Sequence, residues 1–302
     1  MNDPGPNRSE RQQHVGVAYA LAAFLAWGVL PVYFKAVASV PNLEVLAHRV
    51  VWSLAFLLIL TVVRSRWRAF TALFRSGRTQ LTLMTTTGLI ATNWGVFIWA
   101  VAHDRLVEAS LGYFVTPLVT ILLGFVFLKE RLRGLQTVAV VLATWAIAWL
   151  TIRHGHPPLI SVILAFSFAF YGLLRKRVPA SGVQGLTVET LMLTPVAVAW
   201  LLLRAGDGEL VFLHRGPRMD LLLLSAGLLT AMPLIWFAEG ARRLRLSTMC
   251  FMQYLAPMGQ LLLAVAFFGE PFTADHAVTF GLIWTALALY SLDTFRGRAA
   301  RA

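Results

Sequence analysis

The sequence predicts an all-α membrane protein of ten transmembrane helices, arranged as two inverted five-helix repeats. Three observations lead there. First, 58% of the 302 residues are hydrophobic and only 13% are charged, a make-up that leaves too little charge to cover a soluble surface. Second, the charges gather in short clusters between long apolar runs. Third, the stretch Gly112 to Glu130 (GYFVTPLVTILLGFVFLKE) has a counterpart from Met252 to Glu270 (MQYLAPMGQLLLAVAFFGE). Pro117 and Pro257, Glu130 and Glu270, and Arg105 and Arg245 all stand 140 positions apart, so the two halves align here without a gap.

A bilayer core takes about 20 apolar residues per helix. Spans are expected near 14–36, 43–63, 79–101, 107–128, 134–152, 157–176, 183–203, 220–241, 246–268 and 274–293. Residues 1–12 form a polar tail, 13–152 the first repeat, 156–294 the second and 295–302 a basic tail. Ala36-Val37-Ala38 resembles a cleavage site, but the run from Val15 to Phe34 is too long for a signal segment and is read as the first anchored helix. With the N-terminus inside, the inner segments carry 19 of the 26 lysines and arginines and the outer ones six, with Arg49 within a span. That asymmetry places both termini in the cytoplasm. Five spans per repeat is an odd number, so the second copy enters from the opposite side. Inverted repeats of this kind are typical of secondary transporters, in which two exchangeable halves give outward- and inward-facing states.

The net charge of +12 does not point to nucleic acid, because the basic residues lie between apolar runs. The single cysteine, Cys250, excludes an intramolecular disulfide and any four-cysteine zinc site. His154 and His156 lack a third ligand nearby, so no metal is expected, and no other cofactor is implied. No GxxxxGK[ST] loop is present, which disfavours direct coupling to ATP.

Several groups are candidates for contact with a solute. Pro117 and Pro257 interrupt matching runs; each would free the carbonyl four residues back, those of Tyr113 and Gln253, which in lipid must face protein or a water-filled cavity. The bland alternative is a packing kink. Pro31, Pro195 and Pro233 also interrupt spans, without this pairing. Glu44, His48 and Trp52 share one helix face, with Arg49 beside His48. Arg49 is read evenly as a structural clamp or a solute contact, since an intramembrane arginine must find a partner such as Glu44 or a helix carbonyl. Trp27, Asn93, Trp94, Tyr113, Tyr171 and Tyr254 would suit a cavity for amphipathic solutes, although Trp and Tyr also populate interfacial belts. Glu44, Glu108, Glu189 and Glu239 are candidates for coupling or gating; arginine pairing, by Arg105 for Glu108 and by Arg242 or Arg243 for Glu239, is at least as good a reading. Glu130 and Glu270 close their spans against the helix dipole and are expected to act as structural corners, each held by the amides opening the next helix.

The chain also resembles the EamA-type transporters of the drug/metabolite superfamily, in particular the RarD branch. The matching stretches are AxxAWGxxPVYFK (23–35), LEVLAHRVVWS (43–53), EASLGYFVTPLV (108–119), FSFAFYGLLRK (166–176) and RLRLSTMCFMQYLAP (243–257). This resemblance implies a bacterial inner-membrane permease with ten helices and cytoplasmic ends, exporting a small organic metabolite or drug-like solute, and leaves the compound unnamed. The expected partners are that solute and the bilayer, with no nucleic acid; a homodimer is compatible with the sequence. Two other classes stay open at this point. One is a membrane sensor or scaffold without transport. The other is a polytopic lipid-modifying enzyme, disfavoured because Asp104, Asp207 and Asp220 are scattered rather than clustered for magnesium.

Overall fold

The computed structural model describes residues 8–63, 70–71, 73–129, 134–176, 178–244, 248–249 and 252–299. Among them the chain is all-helical, without strands. Ten helices follow in order: α1 (Arg8–Ala36), α2 (Asn42–Val63), α3 (Gly77–Ala102), α4 (Leu106–Leu128), α5 (Gly134–His154), α6 (Leu159–Arg175), α7 (Gly182–Gly206), α8 (Pro217–Arg243), α9 (Leu255–Leu262) and α10 (Ala274–Ala299). Seven of these, α1 to α5, α7 and α8, are long and apolar enough to cross a membrane. Leu159–Arg175 and Leu255–Phe267 are shorter apolar helices. The molecule is a multi-pass membrane protein.

Local chemistry explains where several helices begin and end. Ser181 and Gln184 form a reciprocal cap at α7: the serine hydroxyl accepts the Gln184 N–H, and the glutamine carbonyl oxygen accepts the Ser181 N–H. Pro217 opens α8, where its missing N–H costs nothing. Lys129 ends α4 in the left-handed region at φ 55°, and its N–H returns to the Gly124 carbonyl.

Pro117 lies in the middle of α4, as the sequence predicts. Pro257 falls in the first turn of α9, and its missing N–H leaves the Gln253 carbonyl without an i+4 donor. The expected span 246–268 lies partly outside the described residues; within them, helical residues and the Gln253 N–H bond to the Met249 carbonyl precede the turn. A turn at Gln253 and Tyr254 precedes α9, and a π-helical turn (Leu263–Phe267) follows it. The helix finally stops at Gly269, whose φ of 69° suits a residue without a Cβ.

The helices form two compact units, each taking helices from both halves of the chain. The first comprises Met1–Thr87 and Val178–Leu263, the second Gly88–Arg177 and Ala264–Ala302. In the first, α1 packs on α8 and α9, and α2 on α7 and α8. Close approach at α2 and α8 depends on Gly227: a Cβ there would lie 2.3 Å from the Trp52 carbonyl carbon. A second close contact puts Gly28 of α1 against Gly259 of α9. In the second unit α4 packs on α6, and α5 on α10. Gly112 makes the α4–α6 contact, since a Cβ would come within 2.7 Å of the Ser161 carbonyl oxygen. Small residues that let backbones meet are the usual route to helix association in lipid, where apolar burial supplies little drive.

Candidate functional site

In the first unit the polar groups line up on α2. Glu44 is completely buried, and its Oε1 accepts the N–H groups of Val211 and Phe212, each at 2.9 Å. This carboxylate therefore anchors the segment that leads into α8. His48, one turn on, accepts the indole N–H of Trp52 at Nδ1 (3.1 Å), which leaves the ring proton on Nε2. Nε2 stands 3.9 Å from Glu44 Oε1, and the imidazole packs 4.6 Å from the Phe212 ring. The helical spacing of 44, 48 and 52 thus brings those three side chains together, as the sequence predicts. Arg49 is buried with its guanidinium 5.6 Å from the centre of the Phe34 ring, a cation–π contact between α2 and α1. Next to Phe34, the Tyr33 hydroxyl donates to the Leu222 carbonyl of α8 at 3.1 Å.

Two buried atoms on this strip, Glu44 Oε2 and His48 Nε2, have no hydrogen-bond partner among the described residues; Ser53 Oγ is also without one, but by helical spacing it lies on the opposite side of α2 from Glu44. Buried polar atoms are nearly always satisfied, by protein or by water. The two orphans one turn apart mark the α2 strip as a place that can take up a polar group. Ser53 escaped the sequence reading because a serine in an apolar helix usually bonds back to its own backbone.

Elsewhere in this unit, Trp27 sits in an aromatic cluster, 5.6 Å from Phe24 and 5.7 Å from Phe237. Gln260 of α9 donates to the Trp27 carbonyl at 3.3 Å. This amide was also missed, although a lone glutamine in the run PMGQLLLAVAFF was the available signal. Met252 and Leu255, on either side of Gln253 and Tyr254, pack against the same cluster. Glu189 is wholly buried on α7 and accepts the Thr86 hydroxyl at 2.7 Å. Glu239 pairs with Arg243 at 2.5 Å, and Arg243 lies over the Tyr19 ring. Of the two arginines offered for Glu239, Arg243 is thus a partner.

In the second unit Asn93 is the hub. Its amide nitrogen donates to the Leu164 carbonyl (3.1 Å) and to Ser167 Oγ (3.0 Å), and its oxygen accepts the Tyr113 hydroxyl (3.0 Å). One amide thereby ties α3, α4 and α6. The Tyr113 ring meets Phe97 and Phe168 edge-on, and Phe168 packs on Tyr171, so an aromatic wall surrounds the polar hub. Trp94 is buried beside Asn93 on the chain. Glu108 pairs with Arg105, whose Nε lies 2.6 Å from Oε1. Glu270 grips the head of α4 by two backbone N–H groups, those of Leu106 and Val107. The amides opening a helix are the partners anticipated, but they belong to α4 and not to the following helix, α10. Glu130 lies outside the described residues.

These sites offer donors, acceptors and aromatic faces in an apolar frame, chemistry suited to binding and orienting a solute. Known proteins point the same way. The model of the EamA-like transporter family matches residues 14–152. Protein RarD of Salmonella typhi is 44% identical over 283 residues, 94% of this chain and 96% of that protein. An uncharacterized transporter of Vibrio cholerae is 42% identical, with 95% of each chain covered. The chloramphenicol-sensitive protein RarD of Pseudomonas aeruginosa is 33% identical, covering 93% of this chain and 95% of the relative. A solved crystal structure with 19% identity shares the fold, with a TM-score of 0.59 over 93% of this chain and 98% of that one. With transporter-like helices, a matching family model and full-length relatives at this identity, the chain belongs to the RarD branch of the EamA-type transporters in the drug/metabolite transporter superfamily.

Proposed function

We propose that this transporter is a secondary carrier that exports a small organic metabolite or drug-like solute by alternating access, without ATP. The observation that carries the reading is the 140-residue internal offset shared by Arg105 and Arg245, Pro117 and Pro257, and Glu130 and Glu270. With five spans in 13–152 and five in 156–294, that duplication makes two upside-down copies, an arrangement suited to alternating access. The positive-inside count supports a bacterial cytoplasmic membrane with both termini inside.

Within the first unit, the α2 strip of His48 and Arg49 and the turn of Gln253 and Tyr254 before Pro257 are the solute contacts, with Trp27 in the neighbouring aromatic cluster. Within the second, Asn93, Trp94, Tyr113, Pro117 and Tyr171 are. Polar tips among aromatic faces suit an amphipathic organic molecule. The name of the Pseudomonas aeruginosa relative, a chloramphenicol-sensitive protein, supports a drug-like member of that class. Glu44, Glu108, Glu189 and Glu239 are the carboxylates available for coupling; of these, Glu108 and Glu239 stay paired with arginines, which assigns them first to holding helix ends.

Counterflow in proteoliposomes tests the reading. Vesicles preloaded with an unlabelled solute should take up the labelled form transiently, for at least one member of a panel of amino acids, nucleosides and antibiotics. Failure across the whole panel with demonstrably folded protein would favour a sensor or scaffold instead.

A further inference from the structure

The head of α10 is closed by a cap built on a histidine. Thr273 precedes the helix, and its Oγ1 accepts the His276 N–H at 3.3 Å. In return His276 Nδ1 accepts the Thr273 N–H at 3.2 Å, with the Thr273 hydroxyl also 3.3 Å away. This is the reciprocal geometry of a capping box, in which the third helical residue reaches back to the cap; glutamate or glutamine normally fills that place. The Thr273 carbonyl then accepts the Ala277 N–H at 3.0 Å, the first bond of the helix.

A histidine in this position differs from glutamine in one respect. A backbone N–H can only donate, so Nδ1 must offer its lone pair and the ring must be neutral, with its proton on Nε2. Adding a proton at Nδ1 turns the bond into two opposed donors. It also places a cation in the first turn of a helix, where the unsatisfied N–H groups repel it. Such a cap holds only while the ring is neutral.

The surroundings make the event consequential. His154, at the end of α5, stacks on His276 with ring centres 5.7 Å apart, and His156 lies 6.3 Å from His154. Arg153 of α5 pairs with Asp275 of α10 through Nε and Oδ1 at 2.9 Å. Glu108 of α4 and Asp275 also act on the ring electrostatically, and the Pro271 carbonyl hydrogen-bonds with it. Arg105 neutralises Glu108 from the same helix end. Three residues before the cap, Glu270 holds the opening amides of α4. Loosening Thr273 therefore loosens the short segment by which α4, α5 and the head of α10 are tied within this unit.

We propose that His276 is a proton-operated latch: neutral, it closes the cap on Thr273 and holds the head of α10; protonated, it releases the cap and frees the segment 270–276. Whether solute is carried or not, the latch acts on the backbone, so its test needs no solute.

Amide exchange of the full chain in lipid nanodiscs, corrected for intrinsic rates, is compared near pH 7.5 and near pH 4.5, the lower value set well below the ordinary histidine range for a part-buried ring stacked on a second imidazole. In the parent protein, exchange at Thr273 and Ala277 is expected to be about five- to tenfold faster at the lower pH, the fold-change that loss of a typical cap produces. His276→Gln keeps an acceptor that does not titrate and should protect these amides equally at both values. His276→Leu should leave them fast at both, with α5 and the rest of α10 unchanged. Nitrogen-15 spectra of labelled histidine should show a neutral ring protonated at Nε2 near pH 7.5. The latch is overturned by a parent protein whose exchange ignores pH, by a His276→Gln variant that still responds, by a response that disappears only with His154→Gln, or by a ring protonated at Nδ1.

Discussion

Glu270 and Leu106, 164 positions apart in the chain, meet through a 2.8 Å hydrogen bond from the Leu106 N–H to Oε1, and the second carboxylate oxygen takes the Val107 N–H at the same distance. Glu270 is only 5% exposed, so both amides lose their acceptors if the side chain is cut back. Glu270→Ala is expected to cost about 3 kcal/mol, since hydrogen bonds to charged groups contribute roughly 1.5–3 kcal/mol each and are only partly additive. Glu270→Gln keeps one good acceptor and should cost about half of that. Thermal unfolding of the purified protein in detergent gives the comparison; an alanine variant as stable as its parent would remove Glu270 from the corner.

How this corner was anticipated shows what a membrane sequence reveals. A carboxylate that recurs at the end of two apolar runs, against the helix dipole, must have a partner, and the partner type could be named: amides opening a helix. The helix expected, the next one in the chain, is the wrong one; for Glu270 it is α4. Which helix supplies them depends on packing, and hydropathy is blind to it because lipid and neighbouring helices are equally apolar. The same limit applies at Pro257: hydropathy does not mark the turn at Gln253 and Tyr254 that precedes α9. Asn93 was legible as an amide in need of partners, whereas Ser167 and the Leu164 carbonyl came only with the fold. By contrast, the Glu44–His48–Trp52 row follows from helical spacing alone and is found as expected.

Gly227 and Gly172 make a paired test of helix packing. A Cβ at Gly227 would stand 2.3 Å from the Trp52 carbonyl carbon, 2.4 Å from its oxygen and 2.7 Å from the Ser53 nitrogen, all backbone atoms that cannot move aside. Gly227→Ala should therefore force α2 and α8 apart at a cost of about 1–3 kcal/mol or more. Around Gly172 there is nothing within 4 Å. Gly172→Ala should be neutral or stabilise α6 by up to about 1 kcal/mol, through reduced backbone entropy in the unfolded chain. Unfolding midpoints measured side by side must differ in this direction.

The Asn93 hub predicts a graded loss. Tyr113→Phe removes one hydroxyl donor and leaves Asn93 Oδ1 buried without it, for about 1–2 kcal/mol. Asn93→Ala removes three bonds at once and also leaves the Tyr113 hydroxyl and the Leu164 carbonyl without this partner, so it should cost more than the first. In a double-mutant cycle the two effects should be far from additive. Additive effects would mean that the tyrosine and the amide do not act on each other in the membrane.

Arg49→Lys separates a solute contact from a clamp. Lysine keeps the charge but loses the planar group that lies over Phe34 and the fork that grips an oxyanion or carbonyl. In the proposed carrier, flux should fall roughly tenfold, about 1.4 kcal/mol of lost interaction, while the variant inserts and unfolds like its parent. Loss of insertion or of the folded state, with flux per folded molecule unchanged, would assign Arg49 to structure alone.

The duplication itself makes the sharpest prediction. In the proposed topology Arg105 and Arg245, 140 positions apart, are equivalent in the two copies, with five spans between them. Arg105 stands at the head of α4, paired with Glu108, and Arg245 lies outside the described residues. Cysteines introduced one at a time at these positions, in a Cys250→Ser background, should react with a membrane-impermeant thiol reagent from opposite faces: position 105 in intact cells, and position 245 only in inside-out vesicles. The positive-inside count is the basis for the expected faces. Should both cysteines label from the same side, the second copy would enter the membrane as the first does. The two halves could not then exchange conformations, and alternating access by inverted repeats would have to be given up.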